Sequence, residues 1–485
     1  MNKDFLKPLL IIALAAILTG LVAWVLPIWN NDVFTIRKMP WFSALRPSVE
    51  EPDTIAVVQK KIINTPSPLR PFLDKLGAMK AREGKTAFIE GTSGYSIRKL
   101  RIAYFGDSII EGDLITGPLR STLQDIYGGL GVGMMPITSI VSGFRQTIRH
   151  EFSRNWETVS FMTRSKNDIS LGITGYTFIP RPYYLEQRKI ETDSSDNIES
   201  PDSLFAADSL ASAPDTLKVS KLTRFYVDED PWVEYRAVDI AGGAAYFDGI
   251  KLYYSHASDS SFVRVSYDSA PVISRQLRAG NSLQVLDLSL NQQVKRIRLT
   301  FSKNDPLHLY GLSFDEDRGL YVDNFPIRGY SGMYFQRIHA DVLRDFHQSL
   351  GYDLVILQYG ENVSSPKNTS YQNYKRAMIR TIEHIQAAMP KVPILIISAH
   401  DHSIKDGTIY KTSPDIPILV KTQSEFAQET GCAFWNLYEA MGGYNSMLGL
   451  VNQNPPLAGK DYTHFTRRGA DYVAELLLKF FKGES

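Results

Sequence analysis

The chain has 485 residues, with 53 Lys and Arg against 52 Asp and Glu, and a single cysteine, Cys432. That length exceeds one ordinary hydrophobic core and points to two folded units, while the near-neutral charge without a long basic run gives no footprint for nucleic acid. One thiol excludes an internal disulfide framework and a Cys-rich zinc site, so Cys432 reads as a small buried residue.

Lys3 and Lys7 precede an apolar run from Leu9 to Trp29, broken only by Thr19, Gly20 and Pro27. Roughly 20 apolar residues span a bilayer. A cleaved signal peptide has a shorter apolar core and a small-residue exit, of which Leu21-Val22-Ala23 is a poor example. Residues 1–29 are therefore expected to form an uncleaved signal anchor, held in the cytoplasmic membrane through residues 8–29, with the bulk of the chain extracytoplasmic. Residues 30–97, punctuated by Pro66, Pro68 and Pro71 and helical-looking over Leu73–Arg82, read as a stalk.

Next comes an apolar run, Leu100–Phe105, which ends in Gly106-Asp107-Ser108 and is followed by helical spacing over Leu114–Tyr127. This strand, turn and helix open a first α/β part at 98–143. Over 144–319 the pattern changes to alternating or β-branched runs, such as Phe262–Ser266, Leu283–Leu288 and Val294–Phe301, which predict an all-β sandwich. Within it Glu191–Lys221, rich in Ser, Asp, Ala and Pro, reads as a mobile loop. Over 320–485 strand-like runs (Asp353–Gln358, Val392–Ile397) alternate again with helical ones (Tyr334–Leu350, Tyr371–Met389, Ile418–Glu429, Thr466–Phe481). The fold class expected is α/β, a parallel sheet covered on both faces, interrupted by an inserted β domain.

Gly-Asp-Ser alone is a weak signal, expected by chance in roughly one chain in ten of this length. Its place at a strand-to-helix turn puts Ser108 where free N–H groups stabilise negative charge, although an N-cap serine would look the same. A nucleophilic serine needs a base, and the base needs an orienting group. Asp461-Tyr462-Thr463-His464 offers both from one loop; a surface turn would share that spacing. Gly360-Glu361-Asn362 and Arg328–Gly332 follow or precede regular elements and could supply oxyanion donors, or be ordinary turns. His400, Asp401 and His402 could in principle hold a metal, but without a His-Glu-x-x-His helix they read as a polar pocket rim.

Taken together and in this order, Gly106-Asp107-Ser108, Ser331-Gly332, Gly360-Glu361-Asn362 and Asp461-Tyr462-Thr463-His464 resemble the four blocks of the SGNH (GDSL-like) hydrolase superfamily. The resemblance covers roughly half of the chain. It implies a flavodoxin-like three-layer fold, with Ser108 as nucleophile, His464 as base and Asp461 as its orienter. Gly332, Asn362 and the Ser108 amide would form the oxyanion hole. Gly106–Asp113, the long interruption before Gly332 and Phe434–Gly443 are also similar to bacterial peptidoglycan O-acetylesterases with an inserted carbohydrate-binding-like β domain. That closer resemblance implies an acetylated glycan as substrate and no metal or cofactor. Asp107, Glu361, His400 and His402 are candidates to contact it, with Trp232, Tyr226, Tyr253 and Tyr254 as candidate stacking residues, although any one of these aromatics more often reads as a sandwich core residue. Ile109 stands where the family usually has leucine. The blocks leave open an O-acetyltransferase, a lipase or thioesterase, and a glycan-binding protein without catalysis.

Overall fold

The computed structural model describes residues 64, 66–87, 97–163, 169–187 and 222–484. The anchor expected at 1–29 and the loop expected at 191–221 lie outside them. Among the described residues no helix is long and apolar enough to cross a membrane.

Five strands pair in parallel in the spatial order Gly319–Pro326, Lys99–Gly106, Leu354–Gln358, Ile394–Ile397, Ala433–Trp435. They are buried along nearly their whole length, as strands covered on both faces must be. Successive side chains point to opposite faces. Ala103, Phe105, Val355 and Leu357 thus join one apolar cluster, with helices Ala340–Leu350, Gln372–Ala388 and Ile416–Glu429. Ile102, Tyr104, Leu354 and Ile356 join the other, with helices Arg70–Ala78, Thr116–Tyr127 and Arg467–Lys482.

Numbered in chain order, these strands lie 2-1-3-4-5, the flavodoxin-like arrangement. The order reverses between Lys99–Gly106 and Leu354–Gln358. At such a switch point the crevice outside the carboxyl ends of the strands is left open for ligands. Gly106 pairs with Gln358 there, so Asp107-Ser108 and Gly360-Glu361-Asn362 leave the sheet side by side. A Cβ on Gly106 would come within 3.0 Å of the Gln358 carbonyl, so the backbones could not approach as they do.

Between the first and second parallel strands in chain order, two antiparallel sheets pack face to face. One runs Ile273–Gln276, Phe262–Tyr267, Arg296–Phe301, Trp232–Ala237, Ile148–Phe152; the other Gln284–Asp287, Ile250–Ser255, His308–Phe314, Tyr176–Pro180, Trp156–Ser160. Their inner faces share a core that includes Tyr235, Val263, Val265, Ile297, Leu299, Leu252, Tyr254 and Phe314. The short strand Gly133–Met135, inside the stretch read from sequence as α/β, already pairs with His308–Phe314.

Tyr253 and Tyr254 are fully buried and are core residues, not stacking platforms. Trp232 is held by Glu229 and carries the Arg298 guanidinium 3.7 Å over its ring. Only Tyr226 of the four is largely exposed, at 71%.

Candidate active site

The strand Lys99–Gly106 runs directly into a tight turn over Ser108–Asp113. The Asp107 carboxylate caps that turn by accepting from the Ile109 amide at 3.0 Å. This places Ser108 second after the strand, at the mouth of the crevice. Ser108 Oγ lies 3.1 Å from His464 Nε2, and His464 Nδ1 lies 2.7 Å from Asp461 Oδ2. The three-residue spacing works because the loop folds back on itself. Asp461 Oδ1 accepts the amides of Thr463 and His464, both at 3.1 Å, and Tyr462 takes a left-handed conformation (φ 57°). The Thr466 hydroxyl accepts from the Gly469 amide and starts the final helix right behind the histidine.

Burial raises the Asp461 carboxyl, but the hydrogen bonds from the His464 ring and from the His464 and Thr463 amides outweigh it and hold the group below its ordinary value. The ionised Asp461 accepts a hydrogen bond from Nδ1–H of His464, which leaves Nε2 free to accept from Ser108. The arrangement can remove a proton from Ser108 as it attacks and hold the imidazolium that forms.

Asn362 reaches the same crevice from the neighbouring strand. Its Nδ2 donates to Asp107 Oδ2 and to the Tyr330 carbonyl, each at 3.1 Å. An oxyanion drawing on this amide would compete with those two acceptors. Gly332 sits on the adjoining loop with φ +85°, where a Cβ would meet Tyr359 Cδ2 at 2.7 Å. Both the conformation and the space require glycine there.

The remaining sequence candidates gather behind these groups. Asp107 is fully buried, and burial, with Glu361 adding to it, pushes its carboxyl up to about 7 against the opposing bonds from Ile109 and Asn362. Glu361 lies between two histidines, 3.1 Å from His400 Nδ1 and 3.0 Å from His402 Nδ1. Burial raises Glu361, yet His400 and His402 bring it below its usual value; burial lowers His402, yet Glu361 holds it above. His400 Nε2 lies 2.9 Å from the Thr463 carbonyl. Buried to 1%, with Nε2 on the Thr463 carbonyl and Nδ1 close to Glu361, His400 presents little surface to a ligand, in contrast to the substrate contact expected from sequence. Asp401 turns the other way and accepts from the Met447 amide at 2.8 Å.

Sequence reasoning did not single out the pair formed by Glu111 and Arg328, which ties the nucleophile turn to the loop that carries Gly332. The signal was opposite charge just after the first block and just before the second. Nor did it single out Arg467, which donates to the Phe144 carbonyl at 3.0 Å just beyond His464.

No family model and no curated protein matches the chain. Among solved structures it is similar to one described as "Peptidoglycan O-acetylesterase in action, 5 min". That likeness has 21% identity and a TM-score of 0.58, over 80% of this chain and 91% of that one. Two further likenesses are weaker and carry no weight alone. They are the acetyl xylan esterase AlAXEase (19% identity, TM-score 0.27, 33% of this chain and 81% of that one) and a family two carbohydrate esterase from Cellvibrio japonicus (11%, 0.24, 70% and 98%). The likeness to the first of these three structures is one of fold, a 2-1-3-4-5 parallel sheet joined to a β sandwich, which is the fold that the resemblance carried by the four sequence blocks implies.

Proposed function

We propose that the protein is a serine-dependent carboxylic ester hydrolase that removes O-acetyl groups from a cell-envelope glycan, with peptidoglycan as the expected substrate. The observation that carries the reading is the unbroken chain from Ser108 Oγ to His464 Nε2 and from His464 Nδ1 to Asp461. In this reaction the Ser108 proton passes to His464 Nε2 as Oγ bonds to the acetyl carbon. Asn362, Gly332 and the Ser108 amide stabilise the oxyanion. The ester C–O bond then breaks, His464 protonates the departing sugar oxygen, and an acetyl group remains on Ser108. Water, deprotonated by His464, attacks that acyl-enzyme; the bond from Oγ to the acetyl carbon breaks, His464 returns the proton to Ser108 Oγ, and acetate leaves.

The choice of glycan draws support from the shared fold with the O-acetylesterase structure and from the apolar run Leu9–Trp29, which would tether the enzyme on the outer side of the cytoplasmic membrane. The test is acetate release by the full-length protein in detergent, wild type beside Ser108→Ala. Substrates are O-acetylated peptidoglycan, O-acetylated xylan and a short acyl aryl ester. Serine-dependent release, fastest from peptidoglycan, is the expected result; xylan preferred over peptidoglycan would displace the proposed substrate, and no serine-dependent release from any would remove the hydrolase reading.

A further inference from the structure

Two buried polar side chains of the helix Ile416–Glu429, Asp415 at its N-terminal cap and Gln423 within it, both end on the segment that carries Asn362. They stand about two helical turns apart and so share one face of the helix.

Gln423 acts where two strands part. Gln358 and Ile397 are the last pair in the ladder between Leu354–Gln358 and Ile394–Ile397. Just beyond that pair, Gln423 Nε2 donates to the Tyr359 carbonyl at 2.6 Å and Gln423 Oε1 accepts from the Ala399 amide at 2.7 Å. The side-chain amide thus bridges the gap that opens as the strand ends diverge toward Asn362 and His400. Gln423 is 1% exposed, so its loss would strand two backbone groups away from water. Gly360 permits the close fit. Its φ is +145°, and a Cβ there would come within 2.8 Å of Ala399 Cβ and 3.1 Å of Gln423 Nε2.

Asp415 holds the other end of the segment. Its Oδ2 accepts from Ser364 Oγ at 2.6 Å, from the Ser365 amide at 2.9 Å and from the Tyr371 hydroxyl at 2.6 Å, while Oδ1 accepts from the Ser413 hydroxyl. Burial raises the Asp415 carboxyl, but these bonds outweigh it and hold the group below its ordinary value. Bonds to an ionised acceptor are stronger than neutral ones. Between the two anchor points the chain makes a tight turn, in which the Val363 and Ser364 amides both donate to the Gly360 carbonyl at 3.1 Å. Asn362 lies in that turn. When an oxyanion draws on its Nδ2, the bonds to Asp107 and to the Tyr330 carbonyl give way, and the placement of the amide then depends on the backbone beneath it.

We propose that Gln423 and Asp415 are positioning residues that hold Asn362 where it stabilises the oxyanion, acting from a helix behind the crevice. The inference rests on the ester hydrolase reading and adds two groups that act through Asn362.

The test is a pair of double-mutant cycles on the full-length protein in detergent, read as hydrolysis of a short acyl aryl ester. Gln423→Met and Asp415→Asn are made alone and together with Asn362→Ala, each checked by its melting temperature. Each single variant is expected to lower kcat by roughly 10-fold to 100-fold with KM nearly unchanged, the cost of a small displacement of a reacting group. In the Asn362→Ala background the same substitutions should lower kcat by less than about 3-fold, because the group they position is gone. A merely structural role would instead lower both backgrounds alike. Equal losses in the two backgrounds, a raised KM with kcat intact, or wild-type kcat in a folded variant would overturn the proposal. Either folded variant decides the question, and unfolding of both would overturn it too, since the two side chains would then hold the fold and not the donor. Failure of the hydrolase reading would show separately, in wild type, as no aryl ester hydrolysis that depends on Ser108.

Discussion

Asp107 stands one residue before Ser108 and holds two things at once, the Ile109 amide and the Asn362 side chain. Its folded pKa, about 7, lies well above the 3.8 of a free carboxyl, chiefly through burial. A raised pKa means that the folded state prefers the protonated acid. The associated stability is present below about pH 4 and is lost as pH rises through 7. Asp107→Asn mimics the neutral form, so it should melt above wild type at pH 8, by a few kcal/mol at most, with the gap closing toward pH 4; a gap independent of pH between 4 and 8 would contradict this. At Asn362 the expectation concerns rate. Loss of one oxyanion donor costs about 100-fold to 1000-fold in kcat. Asn362→Ala should therefore retain measurable activity where Ser108→Ala retains almost none, and equal activity in the two would remove Asn362 from the oxyanion hole.

The loop that carries Asp461 and His464 is half exposed, yet it is braced from outside. The Glu361–His400–Thr463 chain links it to the strand end that presents Asn362. The hairpin of Ser403–Asp406 and Ile409–Thr412 stacks Tyr410 on Tyr462 at 3.9 Å, and its Ser403 amide donates to the Tyr462 carbonyl at 3.1 Å. A misplacement of about 1 Å in a catalytic group can cost on the order of 100-fold in rate. His400→Ala should accordingly lower kcat by roughly 10-fold to 100-fold and leave KM for an aryl ester nearly unchanged. A rise in KM with kcat intact would instead return His400 to substrate contact.

At the scale of the whole described region, two buried charge clusters join the sandwich to the parallel sheet. Arg101 binds Asp323 through 2.8 and 2.9 Å hydrogen bonds and also reaches Asp315, just beyond a sandwich strand, at 2.9 Å. Asp113, the last residue of the Ser108–Asp113 turn, pairs with Arg120 and Arg145 and accepts from Thr147 at 2.7 Å; Arg120 in turn donates to the Gly242 carbonyl. Burial opposes ionisation of Asp113, but the two arginines hold it well below the usual carboxylate range. Removing one member of a buried pair leaves the other uncompensated, at about 3–5 kcal/mol. Asp113→Asn should lose stability of that order in urea denaturation, and a change under about 1 kcal/mol would show that the cluster does not hold the two parts together.

The sequence by itself determined the elements whose pattern is local. Leu100–Phe105, Asp353–Gln358 and the long helices declare themselves because burial on two faces or on one stripe writes its own period into the chain. Ser108, Asp461 and His464 were ambiguous one at a time, and only the order of four blocks resembling one superfamily marked them out in the sequence. Only tertiary structure decided the rest. The strand Gly319–Pro326 hides behind Asp323 and Asn324, polar residues tolerable in a buried strand because Arg101, Tyr352 and the Met134 amide satisfy Asp323 from distant segments. Tyr253 and Tyr254 lie inward on a sandwich whose pairing partners are remote in sequence. His400 turned from a rim residue into a brace because its partners, Glu361 and Thr463, come from loops 39 and 63 positions away (|i−j| from 400 to 361 and 463). Periodicity records which face of an element is buried; it holds no record of which distant group will satisfy a buried charge.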